Sequence, residues 1–429
     1  MEITFPSTFF WGIASAAHQV EGGNAYNDNW VLEHVPDNPY VESSGDACDH
    51  YHLYRKDIGL FAELGFTLYR FSLEWSRIEP EEGEFSLAQL DHYRRMLATC
   101  HEHGITPMVT FHHFTSPRWL AASGGWEAQD TPEKFARFCE RAVAHLGDLI
   151  PLAGTLNEIN IGPLIKSIGV RGSARTEPWF EAAAHAVGSD ASHFIPFMYA
   201  DAERGRPTIL AAHRRAVEVI KAGPGRCEVG LTMAMQDIQA GPEGSEMAAR
   251  MRRELQDVYL EATRGDDFIG VQTYSRQRFG PDGPLGPGAG VERTQGGDEF
   301  WPEALEATIR HASAVTGRPV FVTENGVATI DDTRRIAYIE RALRGVAACL
   351  RDGIDVRGYT YWSALDSFEW ISGYRLNMGS LRSIDKHRRV LSSQVPAGWG
   401  ELRRHTASER SSATCSKPEI HPRKERNMT

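Results

Sequence analysis

Short apolar runs recur eight times along the chain, and longer segments with a helical spacing of apolar residues separate them. The runs occupy residues 9–17, 66–75, 105–114, 149–160, 227–235, 268–275, 319–325 and 356–366. Short apolar runs bounded by turn residues are typical of buried strands. Strand and helix patterns that alternate in this way predict a parallel sheet closed into a (β/α)8 TIM barrel. This α/β fold accommodates a chain of 429 residues as a single domain.

Two segments depart from this alternation. Residues 279–290, FGPDGPLGPGAG, are rich in glycine and proline, which predicts a loop after the sixth strand. Residues 401–429 are polar and lack the periodicity of a helix or a strand. We therefore expect the barrel to occupy residues 1–400 and residues 401–429 to form a disordered or loosely packed tail.

The charge balance and the cysteines restrict the classes of function. Lys and Arg number 46 and Asp and Glu number 57, and the net charge of -11 argues against a nucleic-acid-binding surface. No apolar run approaches the roughly 18 residues of a membrane span, and the first residues lack the pattern of a signal peptide. The six cysteines are scattered without a CxxC pair, which favours a reducing, cytoplasmic location.

Active sites of (β/α)8 barrels lie at the carboxyl ends of the strands, so polar residues there are the candidates for chemistry. Glu158 ends the fourth predicted strand and Glu324 the seventh. Hydrogen-bonding and aromatic residues lie at or near the same ends: Gln19, Arg70, His113, Asn157, Tyr274, Trp362, Glu369 and Trp370. Two carboxyl groups in such surroundings suit glycoside hydrolysis, in which one protonates the leaving oxygen and the other attacks or activates water.

Two adjacent histidines end the third predicted strand. Side chains alternate along a strand, so His112 and His113 should point to opposite sides, one into the barrel mouth and one into the helix layer. A metal site needs several ligands on one face, and the strand ends supply no such cluster. We therefore expect no metal.

Longer motifs, in the same order along the chain, resemble glycoside hydrolase family 1, the β-glucosidase family. They are FFWGIASAAHQVEGG, YRFSLEWSRIEP, MVTFHHFTSPRWL, TLNEIN, DFIGVQTYS, VTENG and YTYWSALDSFEW, and they span residues 5 to about 385. The resemblance implies a retaining exo-glycosidase on a TIM barrel. It also implies that the enzyme needs no cofactor and acts on small β-glucosides or cello-oligosaccharides.

The resemblance also implies a role for each candidate residue. Glu158 is expected to be the acid/base and Glu324 the nucleophile, kept ionised and oriented by Arg70 and Tyr274, with Arg70 lowering its pKa. The expected sugar ligands are Asn157 at the 2-hydroxyl, Gln19, His113 and Glu369 at the other hydroxyls, and Trp362 and Trp370 as walls. The charge of Glu369 would repel a phosphate, which favours a neutral sugar over a 6-phospho-sugar.

Several positions differ from the usual family pattern. Ile159 stands where proline is usual after the acid/base, Gln272 where asparagine is usual, and Phe114 where tryptophan is usual. Residues 160–205 lack the usual glycine-rich stretch, so the resemblance makes no prediction for the aglycone side of the site. Beyond Asp385 the usual pattern that leads into the closing helix is not visible.

Two other functions use the same residues. A transglycosylating β-glycosidase would differ only in the molecule that intercepts the covalent intermediate. A sugar-binding barrel that has lost catalysis would keep the pocket, although the presence of both carboxylates argues against it. The sequence makes no prediction of the oligomeric state.

Overall fold

The computed structural model describes residues 5–167, 174–383 and 390–392. Eight parallel strands form a closed barrel: β1 Phe10–Ala14, β2 Leu68–Ser72, β3 Thr106–His112, β4 Leu152–Leu156, β5 Glu228–Ala234, β6 Phe268–Gln272, β7 Val320–Asn325 and β8 Val356–Trp362. β1 pairs with both β2 and β8, which closes the sheet. The predicted (β/α)8 barrel is confirmed, and each strand lies within one of the eight apolar runs.

Helices connect the strands and cover the outside of the barrel. The longer ones are His50–Glu63, Leu87–Glu102, Thr131–Leu146, Pro178–Ala186, Gly205–Ala222, Ser245–Arg252, Ala304–Thr316 and Asp332–Arg351. Shorter helices are Ala17–Val20, Asp28–His34, Trp75–Ile78, Arg118–Ala122, Ile161–Ser167 and Val258–Ala262, the last preceded by a π-helical turn at Arg253–Asp257. Within the described ranges, no helix has the length and apolar character to cross a membrane.

The chain after β8 is described in part. It contains a 3-10 turn at Trp370–Ser372 and two short antiparallel strands, Leu381–Ser383 and Val390–Ser392. The region beyond residue 385, where the sequence lacks the usual pattern of the closing helix, lies, apart from residues 390–392, outside the described residues, and so does the predicted tail at 401–429.

The prediction of a loop at residues 279–290 is wrong for its first part. Arg276–Gly280 and Gly283–Leu285 form an antiparallel hairpin, and the first of these strands also pairs with Asp237–Ala240. Glycine and proline content favoured a loop, but Pro284 lies on the edge strand, where its missing N–H costs no ladder hydrogen bond. Phe279, in the first strand of the hairpin, is buried in an apolar cluster and so fixes the hairpin to the rest of the domain.

The side chains inside the barrel form layers, one above the other along the strands. The lower layer is apolar and consists of Leu68, Met108, Leu152, Phe268 and Phe321 from five different strands. Two residues further along the same strands, the buried positions are Arg70, Thr110, Gly154, Gly270 and Thr323. Small side chains at four of these positions leave room on the barrel axis for the guanidinium of Arg70.

Gly270 tests this close packing. A Cβ at this position would lie 2.7 Å from the Thr232 methyl and 2.9 Å from the Thr323 methyl, so Gly270→Ala forces two stiff side chains apart. We expect a loss of about 1–3 kcal/mol in the free energy of unfolding, measured by urea denaturation.

The matched control is Gly286→Ala, because a Cβ there meets nothing within 4 Å. It should change the free energy of unfolding by less than about 0.5 kcal/mol. Equal stability of the two variants would contradict the layered packing.

Candidate active site

A cavity of about 420 Å³ opens at the carboxyl ends of the barrel strands. It is lined by Gln19, His113, Asn157, Glu158, Tyr274, Glu324, Trp362, Glu369 and Trp370, among others. The remaining candidate, Arg70, is buried beneath it and bonded to two of these residues. The structure therefore brings all ten residues predicted from the sequence to one place.

A β-bulge turns Glu324 into this cavity. Phe321 and Thr323 both face the barrel interior, so strict alternation would send Glu324 outward to the helices. The pairing of β7 instead shifts register between Val322 and Glu324 against β6, and between Val322 and Asn325 against β8. The extra residue re-aims the Glu324 carboxylate at the barrel mouth, which is a common use of a bulge near an active site.

The residue after Glu324 fixes the bulge from the other side. The Asn325 amide donates to the Thr273 carbonyl at 2.6 Å, and its Oδ1 accepts from the Tyr359 hydroxyl at 2.7 Å. These buried bonds hold the end of β7 against both neighbouring strands and so limit the movement of Glu324.

The Glu324 carboxylate is held by three donors. Arg70 Nη1 lies 2.5 Å from Oε1, Gln272 Nε2 lies 2.8 Å from the same oxygen, and the Tyr274 hydroxyl lies 2.6 Å from Oε2. Burial raises the pKa of Tyr274, so its hydroxyl keeps its proton and remains a donor. The carboxylate therefore has a fixed orientation, and the positively charged guanidinium of Arg70 lies against its Oε1.

The expected pKa of Glu324 needs a correction. Burial raises it above its ordinary value, and the charge of Arg70 and the hydrogen bond from Tyr274 oppose that rise. Arg70 therefore lowers the pKa as predicted, but loss of solvation is the larger effect. The guanidinium keeps a buried carboxylate ionisable and does not make it a strong acid.

Glu158 lies in a different environment. It follows β4 in the left-handed region, with φ of 44°, which a non-glycine residue adopts at some cost in conformational energy. Burial raises the pKa of Glu158 well above its ordinary value, and the negative charge of Glu324 raises it further. Since both carboxyls are buried together, Glu324 ionises first and Glu158 retains its proton.

Asn157 links His113 to Arg70 and Gln272, two of the donors to Glu324. Its Oδ1 accepts from Arg70 Nη2 at 2.5 Å and from Gln272 Nε2 at 2.8 Å, and its Nδ2 lies 3.2 Å from His113 Nε2. Burial and the nearby Arg70 charge lower the pKa of His113 well below its ordinary value. The imidazole is therefore neutral, and one of its nitrogens can accept a hydrogen bond.

The two histidines divide as predicted. His113 faces the cavity, and its ring stacks on Trp362 with centroids 5.7 Å apart. His112 lies outside the barrel mouth, bonded to the Ser116 hydroxyl at 3.0 Å and packed against Trp126.

The far wall of the cavity is formed by residues near β1 and β8. Trp370 has a φ of 52° and stacks on His18 at 5.8 Å. Gln19 Nε2 donates to the Phe368 carbonyl at 2.8 Å, and its buried Oε1 has no hydrogen-bond partner within the described part of the chain. An unpaired buried oxygen beside the cavity is available to a ligand hydroxyl.

The prediction that Glu369 carries a charge needs revision. Burial raises its pKa to about 8, and a hydrogen bond from Ser367 Oγ at 3.1 Å offsets only part of this. Near neutral pH the carboxyl group is therefore mostly protonated and can donate as well as accept. Rejection of a phosphate would then rest on desolvation and space rather than on repulsion alone.

Two buried residues of this site were absent from the predicted set. Gln272 was noticed as a departure from the usual asparagine, and it bridges Asn157 and Glu324 through one amide nitrogen. Asn160 bonds the Ala234 and Leu255 carbonyls, each at 2.8 Å, and accepts from the Ala234 N–H. An asparagine in the turn after a strand is a signal for such backbone bonding.

Within residues 5–167 and 174–383, no group of three or more His, Cys, Asp or Glu side chains is arranged to hold a metal ion.

Comparison with known proteins gives one consistent result. The family model described as glycosyl hydrolase family 1 matches residues 1–257 and 287–391. The β-glucosidase A of Acetivibrio thermocellus is 31% identical over 419 residues, covering 88% of this chain and 93% of that protein. The thermostable β-glucosidase B of Thermobispora bispora is 32% identical over 431 residues, covering 87% and 85%.

A solved structure supports the same grouping. The crystal structure of the β-glycosidase BGL167 superposes with a TM-score of 0.92 at 52% sequence identity, covering 97% of this chain and 100% of that chain.

The Tyr274 hydroxyl provides a test of the electrostatics around Glu324. Tyr274→Phe removes a hydrogen bond to the ionised carboxylate, so the pKa of Glu324 should rise further. Such a bond contributes about 1.5–3 kcal/mol, or roughly 1–2 pH units. If ionised Glu324 is required, activity appears as pH rises through its pKa, and the acidic limb of kcat/KM for an aryl β-glucoside should move upward by that amount.

The matched control is Tyr51→Phe, which removes a hydroxyl bonded to Gln89 away from the cavity. It should leave the acidic limb in place. An unchanged acidic limb in Tyr274→Phe would show that this hydroxyl does not stabilise the ionised carboxylate.

Proposed function

Since the chain belongs to glycosyl hydrolase family 1 and is a β-glycosidase, we propose that it hydrolyses terminal β-D-glucosyl residues with retention of configuration. The observation that carries this proposal is the contrast between the two buried carboxyls. Glu324 is held by a guanidinium and two further donors, whereas the pKa of Glu158 is raised by burial and by Glu324 itself. One fold thus supplies a nucleophile and an acid at the same pH.

In the first step, the ionised Glu324 attacks the anomeric carbon of the glucosyl group. Glu158 donates its proton to the departing glycosidic oxygen, so the aglycone leaves as a neutral alcohol or phenol. The result is a covalent glucosyl ester of Glu324. Arg70 and Tyr274 orient the attacking oxygen and stabilise its charge before the attack.

In the second step the same two carboxyl groups act, but Glu158 is now the base instead of the acid. Once Glu324 is an ester it carries no negative charge, so the repulsion that raised the pKa of Glu158 is lost. Glu158, now ionised, accepts a proton from water as that water attacks the anomeric carbon; the bond from this carbon to Glu324 breaks, and Glu324 leaves as a carboxylate. The two inversions give overall retention.

The hydrogen-bonding residues around the cavity suit a neutral hexose. Asn157 is bound to both Arg70 and Gln272, which aims its remaining hydrogen-bonding capacity at the 2-hydroxyl. Gln19, His113 and Glu369 provide acceptors and donors for the other hydroxyls, and the faces of Trp362 and Trp370 suit the C–H faces of the ring.

The alternatives remain testable within the same framework. A transglycosidase would use Glu158 and Glu324 identically and differ in whether water or an alcohol reaches the intermediate, so product analysis with an added acceptor separates the two. A barrel that binds sugar without catalysis would turn over no member of a p-nitrophenyl glycoside panel. The cytoplasmic location stays a prediction that rests on the cysteine pattern.

Glu324→Gly tests the nucleophile. The variant should lose at least roughly 10³-fold in kcat/KM for ordinary β-glucosides, because the group that forms the covalent intermediate is gone. Azide or formate that enters the vacated space should attack the anomeric carbon directly and give a product of inverted, α configuration, as NMR of the product would show. Activity near that of the wild type without the added anion would contradict the assignment.

Glu158→Gln tests the acid/base. Substrates with poor leaving groups should lose about 10²–10⁴-fold in kcat/KM, whereas 2,4-dinitrophenyl β-glucoside needs no proton and should lose far less. Activity is normally lost as pH rises through the pKa of Glu158, so the basic limb should flatten in the variant. Azide should now intercept the ester on Glu324 and give the β-glucosyl azide, the opposite anomer from that of Glu324→Gly.

Equal losses on both substrate types, with the basic limb retained, would assign the acid role to another group.

A further inference from the structure

The cavity has two chemically different sides. The groups suited to a glucosyl ring come from near β1, β3 and β8, as described above. The side nearest β4 and β5 is mostly aliphatic, with Ile161, Leu164, Ile165, Met198 and Met235, and Gln236 adds one amide beside Met235. Among the described residues that line the cavity, both tryptophans belong to β8 or the segment after it, so the aliphatic side has no indole face on which a sugar ring could stack.

The position of Glu158 decides which side faces the leaving group. A general acid must lie beside the oxygen that it protonates, so the aglycone departs on the side of β4. The helix Ile161–Ser167 begins immediately after the acid, and the Ile161 N–H donates to the Glu158 carbonyl at 2.8 Å. The aliphatic side therefore lies where the aglycone must go.

The aliphatic wall is a supported surface. Ile161, Leu164 and Ile165 follow the i, i+3, i+4 spacing that places side chains on one face of a helix. Leu164 packs against a separate apolar cluster of Ala234, Ile238, Ala248, Leu255 and Phe279, beneath the small sheet formed by the hairpin at 276–285. The opposite helix face is polar, and exposed Lys166 pairs with Asp201 at 3.6 Å.

We infer that this wall is an aglycone subsite for an apolar ring or alkyl chain. On the proposed function, the preferred substrates are then β-glucosides of hydrophobic phenols or alcohols rather than cello-oligosaccharides. The two methionines strengthen the inference, since flexible thioether side chains adapt to bulky apolar groups of different shape.

This preference is expected because burial of a methylene group on the wall is favourable, whereas burial of an unpaired hydroxyl group is costly. Each methylene buried on the wall should raise kcat/KM by about 2- to 4-fold, since burial of a CH₂ is favourable by the equivalent of roughly 4-fold. A second glucose would instead press hydroxyls against carbon, and each hydroxyl left unpaired costs roughly 5- to 150-fold. The Gln236 amide on this side has a buried Oε1 without a hydrogen-bond partner among the described residues, so it can accept from one hydroxyl of a second glucose and leaves the other hydroxyls against carbon.

A series of para-alkylphenyl β-glucosides, from methyl to butyl, tests the inference because leaving-group acidity stays nearly constant. We expect kcat/KM to rise by about 2- to 4-fold per methylene, and cellobiose to lie at least roughly 10-fold below the butyl compound. Alkyl β-thioglucosides that are not hydrolysed should show the same dependence in their inhibition constants.

Variants locate the effect on the wall. Ile165→Gln keeps a helix-compatible side chain at a half-buried position, and Met235→Gln changes the wall from β5. Both should flatten the alkyl series to less than about 2-fold per methylene. Lys166→Gln, on the outer face of the same helix, is the control and should keep the full slope.

β-D-Glucosyl fluoride separates this inference from the function on which it rests, because it carries a glycone without an aglycone. Wild type and all three variants should hydrolyse it with kcat/KM within about 3-fold of one another, which also shows that the variants fold. A flat alkyl series, or cellobiose equal to the butyl compound, with fluoride turnover intact would overturn the aglycone assignment alone. Failure of the wild type to hydrolyse the fluoride would overturn the proposed function and this inference with it.

Discussion

The buried guanidinium of Arg70 is the constraint around which the barrel mouth is organised. Its side chain is 1% exposed and lies on the barrel axis, bonded to Glu324 at 2.5 Å and to Asn157 at 2.5 Å. A charge removed from water in this way is tolerated when it is paired, and both Nη atoms of Arg70 are bonded, although its buried Nε has no partner among the described residues. The threonines and glycines in the same layer supply space and a polar lining, and Thr232 Oγ1 lies 3.5 Å from the guanidinium.

That pairing also sets the chemistry of the two carboxyls. A single positive charge lies against Glu324, and Glu158 receives both the cost of burial and the field of its ionised neighbour. When the two acids together hold one proton, that proton is therefore on Glu158. On the proposed mechanism, this division would disappear when Glu324 is esterified, and the change of Glu158 from acid to base would follow from the loss of a neighbouring charge, without a conformational change.

Much of the architecture followed from the sequence because it depends on patterns of local residues. The eight strands, the residues at their ends and the opposite orientations of His112 and His113 are consequences of periodicity. The bulge at Glu324 was not predictable in this way, since strict alternation after Phe321 and Thr323 points this carboxylate outward, and the register shift is visible only in the pairing with β6 and β8. The roles of the ten site residues came from the family resemblance and stay predictions until the variants are measured.

Two further failures have a common physical origin. The hairpin at 276–285 was interpreted as a loop because proline and glycine dominate its local sequence, yet its partner strand at Asp237–Ala240 is distant in the chain. The charge assigned to Glu369 was that of an exposed carboxyl, whereas burial from several elements raises its pKa to about 8. The hairpin and the raised pKa both depend on contacts between segments far apart in the sequence, so neither can be predicted from a short stretch of residues.

The separation of the two sides of the cavity follows from where each is anchored. The carboxyls and their ligands sit on strand ends, where barrel closure and the Arg70 network fix them to one another. The aliphatic wall lies largely on the helix Ile161–Ser167. This helix is connected to the network by the turn after β4, in which Asn160 is hydrogen-bonded to β5 and to the π-helical turn. A substitution of the residues of this helix that line the cavity should therefore change the surface beside the proposed leaving group, while Glu158 and Glu324 keep their positions. On this architecture, the choice of aglycone and the cleavage chemistry are coupled through the turn after β4, and a substitution of Asn160 should affect both, whereas one of Ile165 should affect the first alone.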